Sequence, residues 1–489
     1  MSERLRIALA TATAAALTGG LFAVAAAPAT ADAARPVADL NGGLPDLVVS
    51  APGAHVGGHS AAGQIVAHYG SAAERARAGL SAEHSHTFSQ DSNGVPANAE
   101  ADDAWGEAVA TGDFDGDGLS DVAVGAPGED ITGDPGNGVV QILWGAGGGL
   151  SRSVTLADPR PSKHDQFGRT LETGDFDGDG TTDLAVGSAT NAVDVFRGPF
   201  DKSTGTYDSR YVVAPNIRSG AGDGGGAKHL RAGDVNGDGM DDLVVAGLGP
   251  DYYDTNRFLP GSADGLTRTG EVALPAGTAT DIGDLNSDGY GDVVTGLAHD
   301  AFGDGGHPDG VLGGGVSITY GSAAGPDRIT RFDQDTPGVE GVSEEGDGFG
   351  SDLHLGDIDG DGHLDLAVGA PYEDRGSIAD TGTVTVLYDL HAGEGAHTSE
   401  LLHQNAPGVP NDNEADDVFG AEVHVGDHNG DRKDDVTVGS PGENDGNGMV
   451  HSLRSDGTTA GGIGASAIYP PDLGISIDGS PRYGTRFGG

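Results

Sequence analysis

Six stretches of this chain hold oxygen donors at a spacing that suits a hard cation. The first is Asp113-Phe114-Asp115-Gly116-Asp117-Gly118-Leu119-Ser120-Asp121. The pattern D-x-[DN]-x-D-x-x-x-D returns at Asp175–Asp183, Asp234–Asp242, Asp284–Asp292, Asp357–Asp365 and Asp427–Asp435. Side-chain oxygens at places 1, 3, 5 and 9, with a backbone carbonyl at place 7, could fill the oxygen shell of a calcium ion. Glycines at places 4 and 6 of most copies admit the positive φ that so tight a loop requires. The candidate ligands are Asp113, Asp115, Asp117 and Asp121; Asp175, Asp177, Asp179 and Asp183; Asp234, Asn236, Asp238 and Asp242; Asp284, Asn286, Asp288 and Asp292; Asp357, Asp359, Asp361 and Asp365; and Asp427, Asn429, Asp431 and Asp435. One copy alone could be a solvated acidic turn; six in one register argue for metal.

The copies differ in quality. Those at Asp113, Asp175 and Asp357 have four aspartates and both glycines, so they should bind best. The copies at Asp234 and Asp284 use asparagine at the third place and should still bind. The copy at Asp427 is doubtful, because Arg432 replaces a glycine and Lys433 follows it. A shortened seventh copy, Asp39–Asp46, lacks one residue and the fifth-place aspartate and is expected to bind nothing. Five or six calcium sites result. At about 1 mM calcium and a Kd of about 0.1 mM, each adds roughly 1.4 kcal/mol, so the expected role of calcium is structural.

The elements around these loops are strands. An EF-hand needs a bidentate glutamate at place 12 between two helices, whereas place 12 here is Val124, Val186 or Val368. The loops run into Asp121-Val122-Ala123-Val124-Gly125 and its counterparts at 183 and 365, short apolar runs that read as strands buried on both faces. The unit repeats about every 65 residues, and its parts keep one order. An aromatic-Gly pair comes first (Trp105-Gly106, Phe167-Gly168, Phe349-Gly350, Phe419-Gly420), then the Asp-rich loop and the buried strand. A Gly-Ala-Pro-like turn follows (Gly125-Ala126-Pro127, Gly369-Ala370-Pro371, Gly439-Ser440-Pro441), then a third strand such as Val384–Tyr388 and a weaker fourth. Four antiparallel strands per unit make a propeller blade. The units at Asp234 and Asp284 lack the aromatic-Gly pair and should pack more loosely. The unit at Asp39 has no first strand of its own, and Tyr483-Gly484 is an orphan aromatic-Gly pair, so the C-terminal residues should complete blade 1 and remove the open sheet edge.

Aromatic-Gly, Asp loop and Gly-Ala-Pro in fixed order resemble FG-GAP repeats, the blades of the integrin alpha-subunit N-terminal β-propeller. Similar units occur in the C-terminal part of GPI-specific phospholipase D and in some bacterial and fungal lectins. The resemblance covers nearly all of residues 32–489. It implies an all-β, seven-bladed, calcium-binding propeller used for binding, with loops starting at 39, 113, 175, 234, 284, 357 and 427.

Composition narrows the partners. The formal charge of −51 leaves no basic stripe to neutralise phosphates, which argues against nucleic acid and anionic membranes. Residues 1–31 read as a secretory signal: Arg4 and Arg6, an apolar run over 7–27, and Ala29-Thr30-Ala31 as a cleavage site. No later segment is apolar enough to span a bilayer, so a secreted monomer is expected. Without any cysteine, packing and bound metal must supply stability. Repeated acidic connectors, 94–106 and 408–420 with a variant at 338–350, could form an acidic rim with Glu129, Glu373 and Glu443. We find no G-x-S-x-G elbow or H-E-x-x-H helix. The expected function is a protein or cell-surface interaction module of adhesion type, with a lectin-like glycan binder second and a hydrolase or lyase third.

Overall fold

The computed structural model describes residues 38–489 apart from 75, 132–135, 162, 164, 221–223, 302–305, 393–397 and 462–463. The proposed signal at 1–31 lies outside the described residues. Seven four-stranded antiparallel sheets form, each with its strands in spatial order from the inside of a ring outward. Blade 2 shows the plan: Ala108–Gly112 innermost, then Asp121–Ala126, Val139–Leu143 and Ser153–Leu156. Six of the seven second strands are buried along their whole length, as in Asp121–Ala126 and Asp365–Ala370, and in the seventh, Asp242–Leu248, only Leu248 is partly exposed. They lie between two strands of their own sheet and between two neighbouring blades, which explains why they are apolar on both faces. Each innermost strand touches the innermost strands on either side, and the circle closes.

The core is divided among the blade junctions. Trp105 lies in the core between blades 1 and 2, and Phe167, Phe349, Phe419 and Tyr483 take the same place at four other junctions. All five are fully buried. The glycine beside each aromatic lets two backbones touch. A Cβ on Gly125 would stand 2.0 Å from the carbonyl oxygen of Gly168, and the same conflict recurs for Gly369 with Gly420 and Gly439 with Gly484. The blade 4–5 junction has the smallest core: Val235, Val244, Phe258, Leu274, Ile282 and Val293. Blade 5 has no aromatic-Gly pair, and its junction with blade 4 has no buried aromatic in that place. At the blade 3–4 junction Ile217 fills the aromatic's place, with its Cδ1 2.9 Å from where a Cβ on Gly247 would be.

Blade 1 is composite, as the orphan Tyr483-Gly484 pair suggested. Its innermost strand is Phe487–Gly488, antiparallel to Leu47–Ala51 with Val49 opposite Phe487. The Tyr483 hydroxyl meets His68 Nε2 in the core, and burial holds the His68 imidazolium down to about 4, so the ring is neutral. Glu422 of blade 7 accepts the Phe487 N–H at 3.1 Å and pairs with Arg486 at 3.1 Å.

Two measurements test the seam. Tyr483→Phe leaves a buried imidazole nitrogen without its partner and is expected to cost about 1–2 kcal/mol in urea unfolding. Deleting residues 477–489 removes the buried Tyr483 and exposes the edge of Leu47–Ala51. A clear fall in Tm and a broadened transition are expected; an unchanged melt would refute the closure.

Candidate metal centres

Six Asp-rich loops join an innermost strand to a second strand, and the shortened Asp39 copy leads into the second strand of blade 1, so all seven lie on one face of the ring. The loops wrap their own carboxylates. The Asp113 carboxylate accepts N–H groups of Gly116, Asp117 and Gly118 at 2.8, 3.1 and 2.9 Å. Asp175 does the same for Asp179 and Gly180 at 3.0 and 2.9 Å. Positive φ at Gly116 and Gly118 makes this possible. Where the glycine is replaced, the residue still takes that conformation: Ser287 at φ 58° and Arg432 at φ 70°. Arg432 thus carries the backbone cost expected for its loop.

Carboxylate oxygens converge within 4.8 Å of one another at Asp113, Asp115 and Asp121, at Asp175, Asp177 and Asp179, and at Asp357, Asp359 and Asp361. These are the three loops with four aspartates. Asp183 Oδ2, Asn286 Oδ1 and Asp357 Oδ1 are buried with no hydrogen-bond partner among the described residues. Converging carboxylates and unsatisfied buried acceptors fit a hard divalent cation.

The ninth-place aspartates have a second task. Asp121 is fully buried and accepts the N–H of Phe114 at 3.0 Å and of Gly145 at 2.8 Å. It thereby ties the loop to the turn that leaves the third strand. Asp242 and Asp292 repeat this with Val235 and Gly261, and with Leu285 and Gly321. Asp46 of the shortened copy does so with Leu40 and Gly70, both at 2.8 Å. Burial, reinforced by the neighbouring carboxylates, raises Asp121, Asp242 and Asp292 to about 7, and Asp365 and Asp435 to about 8.

Basic side chains enter several loops, and of these the sequence reading named only Lys433. The Lys202 ammonium bridges Asp115 and Asp117. Arg197 Nε lies 3.1 Å from Asp177. In the weak loop, Arg454 lies 2.8 Å and Lys433 3.9 Å from Asp431. An ammonium seated between two candidate ligands takes the place a cation would occupy and would compete with calcium for it. Lys202 therefore puts the Asp113 loop below the Asp357 loop, where no described ion pair meets the three converging carboxylates.

The FG-GAP repeat family matches residues 105–143, 349–387 and 419–453, and the FG-GAP-like repeat family matches 175–245. Integrin alpha-PS2 of Drosophila melanogaster is 28% identical over 301 residues, 60% of this chain and 17% of that protein. The chain is an integrin-alpha-like FG-GAP repeat protein. A phosphatidylinositol-glycan-specific phospholipase D of Bos taurus matches this FG-GAP propeller at 33% identity over 153 residues, 31% of this chain and 18% of that one. Integrin alpha-X of Mus musculus is 38% identical over 108 residues, 19% of this chain and 9% of that one. The chain thus spans less than a fifth of the length of each of these relatives.

On the other face, the FG-GAP propeller repeats a second acidic arrangement three times. Asp103, Asp347 and Asp417 accept the N–H of Glu100, Glu344 and Glu414 at 2.6, 2.7 and 2.7 Å. Beside them Gln90, Gln334 and Gln404 donate to Glu129, Glu373 and Glu443 at 2.5, 3.0 and 2.7 Å. The three connectors that looked alike in sequence therefore fold alike. The glutamines, two residues past the outer strand's apolar end, are the part the sequence reading passed over.

The axis holds a channel of about 830 Å³ lined by the innermost strands. Two of its carboxyls, Asp352 and Glu422, are pushed up by burial, and Asp352 also by the Glu422 charge. Asp352 accepts the Val423 N–H at 2.7 Å, and Glu422 holds the seam, so both stitch one innermost strand to the next.

Two outcomes follow from the loops. Asp117→Ala removes an exposed ligand and should reduce the calcium-induced rise in Tm while leaving the calcium-free Tm nearly unchanged. Asp121→Ala strands two buried N–H groups and should cost about 3 kcal/mol with or without calcium. The pH dependence of the calcium-free protein is the second. Ninth-place carboxyls with raised folded values stabilise the fold while protonated and lose that contribution as pH rises through about 7 to 8. Tm in chelator should therefore fall as pH rises from about 4, the ordinary carboxylate value, to about 8 and level off above it, and calcium should lessen that fall.

Proposed function

We propose that this propeller is an extracellular interaction module for a protein ligand, with calcium holding one face and the ligand bound on the other. The observation that carries this reading is where apolar side chains are exposed. Among the described residues ten large apolar side chains are exposed. Val212, Val272 and Ile329 sit on outer strands, and the other seven, Tyr252, Tyr253, Val311, Leu312, Val342, Tyr372 and Ile477, lie in connections from second to third strand or from one blade to the next, on the face opposite the Asp-rich loops. Six belong to the consecutive blades 4, 5 and 6. Val342 is 63% exposed and Tyr252 58%, and Arg218 stacks 3.5 Å over the Tyr252 ring. An aromatic and aliphatic patch of this kind marks an interaction surface. The three acidic Gln-Glu-Asp arrangements lie on the same face, in blades 2, 6 and 7. The partner that fits is a protein surface with an apolar centre and basic margins.

The relatives support the class in part: the relative matched over the largest share of this chain is an integrin alpha chain, and integrin alpha chains share the matches evenly with phosphatidylinositol-glycan-specific phospholipase D. Among the described residues, no helix is long and apolar enough to cross a membrane. A glycan ligand is the second reading, favoured by the exposed rings of Tyr252, Tyr253 and Tyr372, which suit stacking on a sugar face. An active site in the channel is less supported, because Asp352 and Glu422 are committed to strand-to-strand bonds.

The test is binding of residues 32–489 to intact cells and to a glycan array, in calcium and in chelator. Saturable, protease-sensitive cell binding that drops at least about tenfold in Tyr252→Ala/Tyr372→Ala is expected. Binding that survives protease treatment and maps to one sugar class would transfer the site to the glycan reading. Binding unaffected by the double variant would remove the assigned face.

A further inference from the structure

Two histidines meet at the edge of the blade 6 loop, on the face that carries the Asp-rich loops. His363 takes the seventh place of that loop, two residues after Asp361. His391 lies in the short turn Leu390–Ala392 that follows the third strand of the same blade. Their rings stack at 3.9 Å with an 18° tilt. One donor atom from each of Asp361, His363 and His391 lies within 4.8 Å of the other two. His391 Nδ1 is buried and has no hydrogen-bond partner among the described residues. His363 Nδ1 lies 3.2 Å from the Ser287 hydroxyl of the neighbouring blade 5 loop.

We infer that Asp361, His363 and His391 form a second kind of metal site, one for a zinc-type transition-metal ion, fused to the rim of the blade 6 Asp-rich loop. The donor set decides the class of ion. Calcium takes oxygen ligands, whereas two imidazoles with one carboxylate suit zinc and its late first-row neighbours. The distances allow it. A tetrahedral ion with bonds of about 2.1 Å wants donors about 3.4 Å apart, so modest rotations of three partly exposed side chains complete the chelate. The orphaned His391 nitrogen gains a partner, which nothing else described gives it. Ser287 is the outer hydrogen-bond partner that orients a ligating imidazole, and with Nδ1 so engaged His363 offers Nε2. Three protein ligands leave an open position for water or for a donor from a partner.

The site reaches beyond structural calcium because Asp361 belongs to both sets. Its carboxylate would lie between a calcium ion in the loop and a zinc ion on the histidines. Occupancy of one then alters affinity for the other, and by equal factors in both directions. A surface that depends on two different metals would sense their ratio, which a loop made only of oxygen donors cannot do.

The experiment is calorimetric titration of calcium-saturated residues 32–489 with zinc chloride, repeated with His363→Asn and His391→Asn. Cobalt(II) absorption serves as a spectroscopic check on the same three proteins. The wild-type chain should bind one more zinc equivalent than either variant, or bind that equivalent at least about tenfold more tightly. It should also show tetrahedral cobalt bands that both variants lack. Each variant should keep the calcium-dependent rise in Tm, which shows it folded, since the altered side chains are partly exposed. Equal zinc stoichiometry and affinity in all three chains would overturn the assignment, as would an absence of zinc binding to the wild type.

Discussion

Neighbouring blades in this ring touch backbone to backbone. At Gly125 and Gly168, Gly369 and Gly420, and Gly439 and Gly484, no side-chain carbon fits between one blade's second strand and the entry to the next blade's first. That approach sets the spacing of the wedge-shaped sheets, and the other features are consequences of it. The aromatic before each second glycine is driven into the gap beside the contact, where it is fully buried. Because every blade connects its strands in the same order, the Asp-rich loops share one face. The two faces differ in chemistry: Asp-rich loops on one, exposed aromatic and aliphatic side chains beside acidic connectors on the other.

The ninth-place aspartate is the joint between fold and site. Its carboxylate receives backbone N–H groups from its own loop and from the turn beyond the third strand at Asp121, Asp242 and Asp292, and in the shortened Asp39 copy at Asp46. A loop that lacks part of the candidate ligand set can therefore still fold soundly, as the Asp39 copy does. The turn holds without help from a metal. The cations that enter the loops from other turns fit the same view: where Lys202 or Arg454 reaches the carboxylates, the charge is offset within the chain itself.

Much of this was legible in the sequence, because repetition multiplies weak local signals. The blade count, the composite blade 1 and the three richest carboxylate clusters all followed from residue types in fixed order. The relation of Tyr483 to Trp105 was readable because both precede a glycine in the same motif. What stayed hidden depends on contacts between distant turns. Nothing near Asp113 announces Lys202, and nothing in the run around His363 points to His391, which lies beyond two strands. Ile217 could replace the missing aromatic of blade 4 only because a different segment reaches the same gap. The exposed apolar patch was also invisible, since Tyr252, Leu312 and Val342 are ordinary apolar residues until the fold puts them on one face.

The composite blade has a consequence for how the ring is made. A chain that grows from its N-terminus can build six blades in turn, but the strand Leu47–Ala51 must wait for Phe487–Gly488. Until those residues arrive, the assembly is an open arc whose two ends both present unpaired, apolar edges. The last step is an annealing of early and late segments more than 430 positions apart in the sequence, and it converts a curved strip with two sticky ends into a closed object with none. A helper that shields the early edge during synthesis, or a cell compartment that delays crowding until the strip is complete, would act on that single waiting strand.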